Sequence, residues 1–266
     1  MLTAALLGVI QGLTEFLPVS SSAHLILARF FFGWEAPEFG LAFDVALHVG
    51  TLVAILAYFW RDIAAMVAAL PSVFSSDAGP SARLIRLIAL GTVPAILVGL
   101  LFNDYIEARL RTPAVAATAL ALGAVLMLIA ERATSGRRDE ASLTMADALL
   151  IGVAQAAALI PGVSRSGSTI AVGMLLGVRR EAAARFTFLL AIPAILAAAG
   201  KESIELRHTH PDAHLLTLFA VGAGVSALVG YLTIKYFLRF LARHRLDVFA
   251  YYRLALAAVT LARLAL

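Results

Sequence analysis

The chain has 266 residues, of which 61% are hydrophobic and only 14% charged, and its mean hydropathy is +0.91. A composition this apolar cannot clothe a soluble domain in polar surface, so the sequence describes a membrane protein with several spans. The net charge of +4 comes from arginines scattered at the ends of apolar stretches, which excludes a nucleic-acid surface, and the absence of cysteine excludes disulfides and thiolate metal sites.

Residues 1–32 are apolar but broken in the middle by Pro18 and the serines that follow it. Each half is too short to cross a hydrocarbon core of roughly 30 Å. Residues 1–17 lack a basic n-region and carry Gln11 and Glu15, so they do not read as a secretory leader. Spans are expected at 41–60, 84–102 and 113–131, with a surface loop at 71–82 that includes Ser76 and Asp77. A polar linker at 132–146 follows, and Thr144 with Asp147 has the spacing of a capping box. A second broken apolar stretch, 147–177, is interrupted by Pro161, Gly162 and a run of hydroxyls. Three more spans are expected at 183–200, 215–237 and 248–265. Between the first two, the loop 201–214 carries His208, His210 and His214 beside Asp212, which reads as solvated loop rather than a metal site.

The expected fold is a single all-α polytopic membrane domain over 1–266, with about six transmembrane helices and two re-entrant helical hairpins. Non-helical backbone at membrane depth is tolerated only where protein or trapped water satisfies it. Arg61, Arg83, Arg132, Arg137, Arg138, Arg179, Arg180, Arg185, Arg239, Arg243 and Arg245 fall on one side of this arrangement. Arg29, Arg109, Arg111, Lys201 and Arg207 fall on the other. The positive-inside bias makes the richer side cytoplasmic and turns the first hairpin's mouth, and the cavity with it, to the periplasmic side.

The halves repeat. At an offset of 144 residues, Gly8-Val9-Ile10-Gln11 lies over Gly152-Val153-Ala154-Gln155, and Val19-Ser20-Ser21-Ser22 over Val163-Ser164-Arg165-Ser166. A later block, with Gly91 and Gly99, matches one with Gly222 and Gly230. The first repeat is 1–131 and the second 147–266. Three spans separate the two breaks, and an odd number inverts the second copy, so the hairpins would enter from opposite faces and meet near the midplane.

The polar residues of the breaks carry the chemistry. Gln11 and Glu15 are four apart and share one helix face. Pro18 ends that helix, and Ser20, Ser21 and Ser22 then stand at the start of the next, where unpaired amides favour phosphate. Ser21 and His24 are three apart, within the reach a base needs to take a hydroxyl proton. The second break repeats this with Ser164, Ser166, Gly167 and Thr169 around Arg165, a cation too expensive at membrane depth to be idle and able to grip two phosphate oxygens. A Glu15–Arg165 ion pair is the structural alternative, and it would put the two breaks in contact.

The runs Gln11 to His24 and Pro161 to Ile170 resemble the two signature motifs of the bacterial undecaprenyl-diphosphate phosphatase family, also called the bacitracin-resistance protein family. The resemblance extends over essentially the whole chain, including Phe186 to Ala194. It implies a multi-pass enzyme of the bacterial inner membrane that removes the terminal phosphate of undecaprenyl diphosphate, recycling the lipid carrier of cell-wall synthesis, with a divalent cation such as Mg2+ or Ca2+. By motif position, Gln11 and Glu15 stand where the family holds metal and substrate. Ser21, His24 and Arg165 correspond to its reacting and charge-neutralising residues. Gln11 stands where some members have Glu, and Ala23 where glycine is common.

The mechanism expected from these spacings has Ser21 attacking the terminal phosphorus with His24 or Glu15 taking its proton, or water attacking directly. The prenyl tail is expected along small-residue faces near Gly91, Gly99, Gly222 and Gly230. Partners are the polyprenyl diphosphate, the bilayer and a possible second copy of the chain. The rival reading is an inverted-repeat transporter or flippase for a lipid phosphate or other anion, which has no need of Ser21 beside His24.

Overall fold

The computed structural model describes residues 1–34, 36–75, 79–134, 136–206 and 212–266. Their regular structure is helical, apart from one isolated bridge between Arg138 and Val178. In chain order the helices are α1 (Leu2–Thr14), α2 (Ser21–Phe32), α3 (Leu41–Tyr58), α4 (Trp60–Ala69), α5 (Pro80–Tyr105), α6 (Pro113–Ala133), α7 (Met145–Ala157), α8 (Arg165–Leu175), α9 (Arg180–Leu206), α10 (Ala213–Leu241) and α11 (Asp247–Ala265). Ser76, Asp77, Arg207, His208 and His210 lie outside the described residues, and His214 sits in the first turn of α10.

Six of the described helices are long and apolar enough to cross a membrane, at the six places expected. The chain is a multi-pass α-helical membrane protein, and its outer surface suits lipid: Leu100 and Leu101 of α5 are 79% and 73% exposed. Two boundaries differ from expectation. The third apolar stretch continues from α5 through a π-helical turn at Ile106–Leu110, and α4 is an extra amphipathic helix with no buried residue, its Trp60 and Val67 exposed as on an interfacial helix. The broken stretches are pairs of short helices: α1, α2, α7 and α8 have 13, 12, 13 and 11 residues. At about 1.5 Å per residue none reaches much beyond 20 Å, too short to cross alone.

Ion pairs sort the helix ends into two sets. At one end Glu131 of α6 accepts from Arg180 (2.7 and 2.5 Å) and from the Leu246 amide (2.8 Å), Arg185 of α9 pairs with Asp62 and Glu140, and Arg138 pairs with Asp147. At the other, Arg29 and Arg111 converge on Asp44, and Lys201 lies 3.8 Å from Glu107. Each end therefore ties helices and the 132–146 linker to one another without spanning the core.

The middle is crossed by glycine contacts at matched positions. A Cβ on Gly8 of α1 would stand 2.6 Å from the Gly222 carbonyl of α10, and one on Gly152 of α7 would overlap the Gly91 carbonyl of α5. Each short helix that opens a half thus lies backbone-to-backbone against a long helix of the other half, a separation only glycine permits. This corrects the expected tail groove. Gly91 is closed by Ala148 and Leu190, Gly222 by Leu47 and Phe43, and Gly230 by Phe16 and Ala54, whereas Gly99 lines a cavity. Small residues are needed wherever helices touch closely, so composition does not separate a contact from a groove.

The capping box forms as the spacing predicts: Thr144 Oγ1 accepts from the Asp147 amide at 3.1 Å, and an Asp147 carboxylate oxygen accepts from the Thr144 amide at 2.8 Å. Burial works against the Asp147 charge, but hydrogen bonds from Arg138 and Thr144 outweigh it and hold the carboxyl below its ordinary range. Asp147→Asn should cost about 1–2 kcal/mol. A depressed carboxylate stabilises fully above its unfolded value, about 3.9, and is lost only as pH falls through the lower folded one. Thermal melts in detergent should therefore show the same penalty at pH 5 as at pH 7.

Candidate active site

Both breaks have the same backbone. Ser20 and Ser164, equivalent in the repeat, adopt φ of 73° and 71° and are the only non-glycine residues with positive φ among those described. Each caps the helix that follows: Ser20 Oγ accepts from the Ala23 amide at 3.4 Å, and Ser164 Oγ from the Gly167 amide at 3.0 Å. The hydroxyl pairs Ser20–Ser22 and Ser164–Ser166 lie 3.2 and 3.3 Å apart. Left-handed serine costs of order 1–2 kcal/mol and persists only where the surroundings enforce it.

Arg253 of α11 enforces it. Its side chain is fully buried, and its guanidinium donates to the carbonyls of Pro18 (3.2 Å) in the first break and of Gly162 (2.9 Å) and Val163 (3.0 Å) in the second. It also donates to Leu120 (3.1 Å) and Ala119 (3.3 Å) of α6. Gly123 and Gly167 leave the space it fills. Ser166 adds a direct link between the breaks, donating to the Leu17 carbonyl at 3.0 Å. Sequence reading passed over Arg253, although its signal was present: a lone cation six residues into an apolar span is itself a flag.

Joined in this way, the breaks bring Glu15 and Arg165 together as an ion pair, the side chains 4% and 17% exposed. Arg165 holds one Glu15 carboxylate oxygen. The other accepts from Ser21 Oγ at 2.6 Å and from Gln11 Nε2 at 2.9 Å, and faces His48 Nε2 at 3.4 Å. Ser21 is thus poised to deliver its proton to a carboxylate already charged and oriented. The same groups border a cavity of about 260 Å³, walled by Glu15, Ser20, Ser21, Ser22, Ser164 and Arg165, with Gln155 behind them. Gln155 is buried with both of its amide atoms unpartnered, and Gln11 Oε1 is also unpartnered. Of the two, Gln155 lines the cavity, and an orphaned amide there is a place for a ligand to bond.

Several predicted residues stand elsewhere. His24 does not meet Ser21. Its Nδ1–H donates to the Ser20 carbonyl at 2.8 Å, so its Nε2 accepts from the Tyr252 hydroxyl at 2.7 Å, and the ring stacks on Tyr252 at 5.6 Å between centroids. Both nitrogens are engaged on the side of α2 that faces α11, away from the cavity. Thr169 is fully buried behind α8, donating to the Arg165 carbonyl at 2.6 Å and accepting from Thr187 at 2.9 Å. Ser166 and Gly167 likewise face protein, bonding Leu17 and packing on Arg253. Of the predicted phosphate ligands, then, Ser20, Ser22 and Ser164 line the cavity with Ser21 and Arg165, Ser166, Gly167 and Thr169 build the helix that presents them, and Gln11 lies off the cavity, bonded to Glu15. His48 was missed because nothing in the sequence of α3 sets it apart from a packed interior histidine.

A family profile described as Bacitracin resistance protein BacA matches residues 4–259. A protein of Rubrobacter xylanophilus named undecaprenyl-diphosphatase is 48% identical over 269 residues, covering 100% of this chain and 99% of its own. Proteins of the same name from Thermodesulfovibrio yellowstonii and Nitrosococcus oceani are 43% and 46% identical, over 96% and 95% of this chain and 94% and 95% of theirs.

Arg253→Lys keeps the charge but offers three donors from one point, leaving at least two of the five carbonyls that Arg253 serves without that donor. The variant should lose about 2–4 kcal/mol. Its melting temperature in detergent should drop, whereas an unchanged melt would remove Arg253 as the clasp.

Proposed function

This chain belongs to the bacitracin resistance protein family, and from that premise we propose that it hydrolyses undecaprenyl diphosphate to undecaprenyl phosphate and inorganic phosphate at the Glu15–Ser21–Arg165 centre. The observation that carries this reading is the 2.6 Å hydrogen bond from Ser21 to the Glu15 oxygen that Arg165 leaves open.

The terminal phosphate enters the cavity between the starts of α2 and α8, whose first-turn amides and dipole ends favour anions. Arg165 grips phosphate oxygens, exchanging part of its contact with Glu15, and Gln155 supplies the amide donor that the structure leaves unpartnered. Ser21 Oγ attacks the terminal phosphorus in line, its proton passes to Glu15, and the bond to the bridging oxygen breaks, releasing undecaprenyl phosphate. Glu15 hands that proton to the departing undecaprenyl phosphate; the freed carboxylate then takes a proton from water, whose oxygen attacks the phosphoserine phosphorus, and passes it to Ser21 Oγ as inorganic phosphate leaves. Positioning and charge neutralisation supply most of the rate in such reactions. The apolar wall of Ala95, Gly99, Leu159, Ile195 and Ala198 gives the first prenyl units a path from the cavity to the lipid-facing surface.

Among the described residues no cluster of three or more His, Asp or Glu side chains forms a metal cage. The donors present suit a divalent cation shared with the substrate: Glu15 supplies charge and the orphaned Gln11 Oε1 a neutral oxygen. Bound there, Mg2+ or Ca2+ would neutralise diphosphate charge. The arginine distribution supports an inner-membrane protein with this cavity open to the periplasmic side, the face on which the diphosphate carrier would be dephosphorylated.

Three measurements test this reading. Ser21→Ala should lower kcat by about 10³-fold or more, in the range typical for loss of an activated nucleophile. Rapid quench with labelled substrate should trap phosphate on Ser21 of the unaltered chain, and a variant retaining most of its turnover would instead assign the attack to water. Chelation with EDTA should abolish phosphate release and added Mg2+ or Ca2+ restore it, with Gln11→Glu needing about tenfold less cation because a second carboxylate joins the site.

A further inference from the structure

Beyond the reacting groups, the cavity has an outer wall made of charge. Asp44 of α3, its side chain 5% exposed, accepts from Arg29 at 2.5 and 3.2 Å and from Arg111 at 2.6 Å. Among the described residues Asp44 is the only carboxylate paired with either arginine, so the cluster carries one positive charge in excess. Arg29 Nε is buried and has no acceptor. A buried guanidinium donor left open beside surplus positive charge calls for an oxyanion.

The cluster stands between two spaces. Asp44 and Arg111 line the catalytic cavity, and Arg29 and Arg111 line a second groove of about 510 Å³ beyond it. The Arg111–Asp44 pair is therefore the partition, and Arg111, 27% exposed, is its less buried member. Its place is set by the π-helical turn Ile106–Leu110, which ends α5 just before it. Such turns are unusual and concentrate at functional sites. Asp44 lies one turn of α3, about 6 Å along the axis, from His48, and the His48 carbonyl-side ring nitrogen bonds back to Asp44 O at 2.7 Å while its other nitrogen faces Glu15. An anion leaving Glu15 and Arg165 outward meets this cluster next. The facing groups include Asn103 of α5 and Glu107 of the π-helical turn, paired at 2.6 Å, so the path is acidic on one wall and basic on the other.

We propose that Arg29, Asp44 and Arg111 form a second anion site that receives inorganic phosphate from the reacting centre and passes it to the outer groove. This rests on the phosphatase reading above. Arg111, which borders the catalytic cavity, first exchanges its Asp44 contact for a phosphate oxygen, which opens the partition, and Arg29 beyond it then donates its unpartnered Nε. Asp44 keeps the arginines apart and prevents the anion from being held too tightly to leave.

The test uses the full chain purified in detergent, with inorganic phosphate as the probe and two readouts: the phosphate-dependent rise in melting temperature, and inhibition of initial turnover by added phosphate. For Arg29→Gln and Arg111→Gln, about tenfold more phosphate should be needed for both effects, equivalent to one lost charge-assisted contact. Arg165→Gln should keep the thermal response, because the outer site is intact. If Arg165→Gln abolishes that response while the outer variants leave it unchanged, phosphate binds at the reacting centre alone and the proposal fails. A parallel titration with farnesyl monophosphate separates the sources: stabilisation by it and not by inorganic phosphate would make the cluster a lipid-headgroup site and overturn the exit role. Should Arg111→Gln not fold, Arg111→Lys and Arg29→Gln carry the same readouts. Failure of the unaltered chain to release phosphate from undecaprenyl diphosphate would instead strike the phosphatase reading, and the thermal response to phosphate reports independently of it.

Discussion

A guanidinium with no exposed surface holds together two stretches of chain that have no regular structure of their own. Among the described residues Arg253 is paired with no carboxylate. It is satisfied by backbone carbonyls of both breaks and of α6. Burying an unpaired cation is expensive, and here the cost is offset by satisfying carbonyls that would themselves be orphaned in a low-dielectric interior. Each side of the arrangement needs the other. Without the breaks the arginine has nothing to bond, and without the arginine the left-handed serines that open α2 and α8 have no reason to persist.

From that clasp the geometry of the centre follows. The breaks meet tip to tip, so the carboxylate that precedes one and the guanidinium that follows the other are forced into contact. Glu15 is then a shared point: Arg165 fixes one oxygen and leaves the second for Ser21, Gln11 and His48. The Glu15–Arg165 pair could be taken as structural glue, and it is that, but it is also the means by which a buried carboxylate stays charged beside a hydroxyl. Structural and chemical readings of this pair do not compete, because the interaction that joins the halves is also the one that leaves a Glu15 oxygen for the Ser21 hydroxyl. His24 shows the opposite outcome. The helical spacing that made it a candidate base also let it reach back to the Ser20 carbonyl, and Tyr252 took the remaining nitrogen.

The two ends of the molecule divide labour by charge. On the arginine-rich side carboxylates and arginines saturate one another in number, as where Glu131 and Asp247 meet Arg180 and Arg245. On the other side the balance is incomplete at Asp44, where one carboxylate serves two arginines. Saturation suits an anchor, whereas a deficit of negative charge next to a polar cavity suits traffic of anions. The π-helical turn before Arg111 lies on the second side.

Apolar length, the Pro and Ser interruptions and the matched Gly8–Gln11 and Gly152–Gln155 blocks were legible in the sequence, because the bilayer imposes a length on every span and leaves few ways to interrupt one. From these came the six long helices, the two broken pairs, the capping box at Thr144 and the polar residues gathered at the two breaks. Partner choice within that set was decided only by tertiary structure. Helical spacing gave Ser21 two possible bases, and packing of α2 against α11 removed one. Small residues marked close approach but not whether helix or lipid would fill it, so Gly91 and Gly222 became crossings and only Gly99 a cavity wall. Spacing reports neighbours within one helix. What lies across from a side chain depends on how separate helices are clasped, and here that is set by a single arginine more than eighty residues from either break it holds.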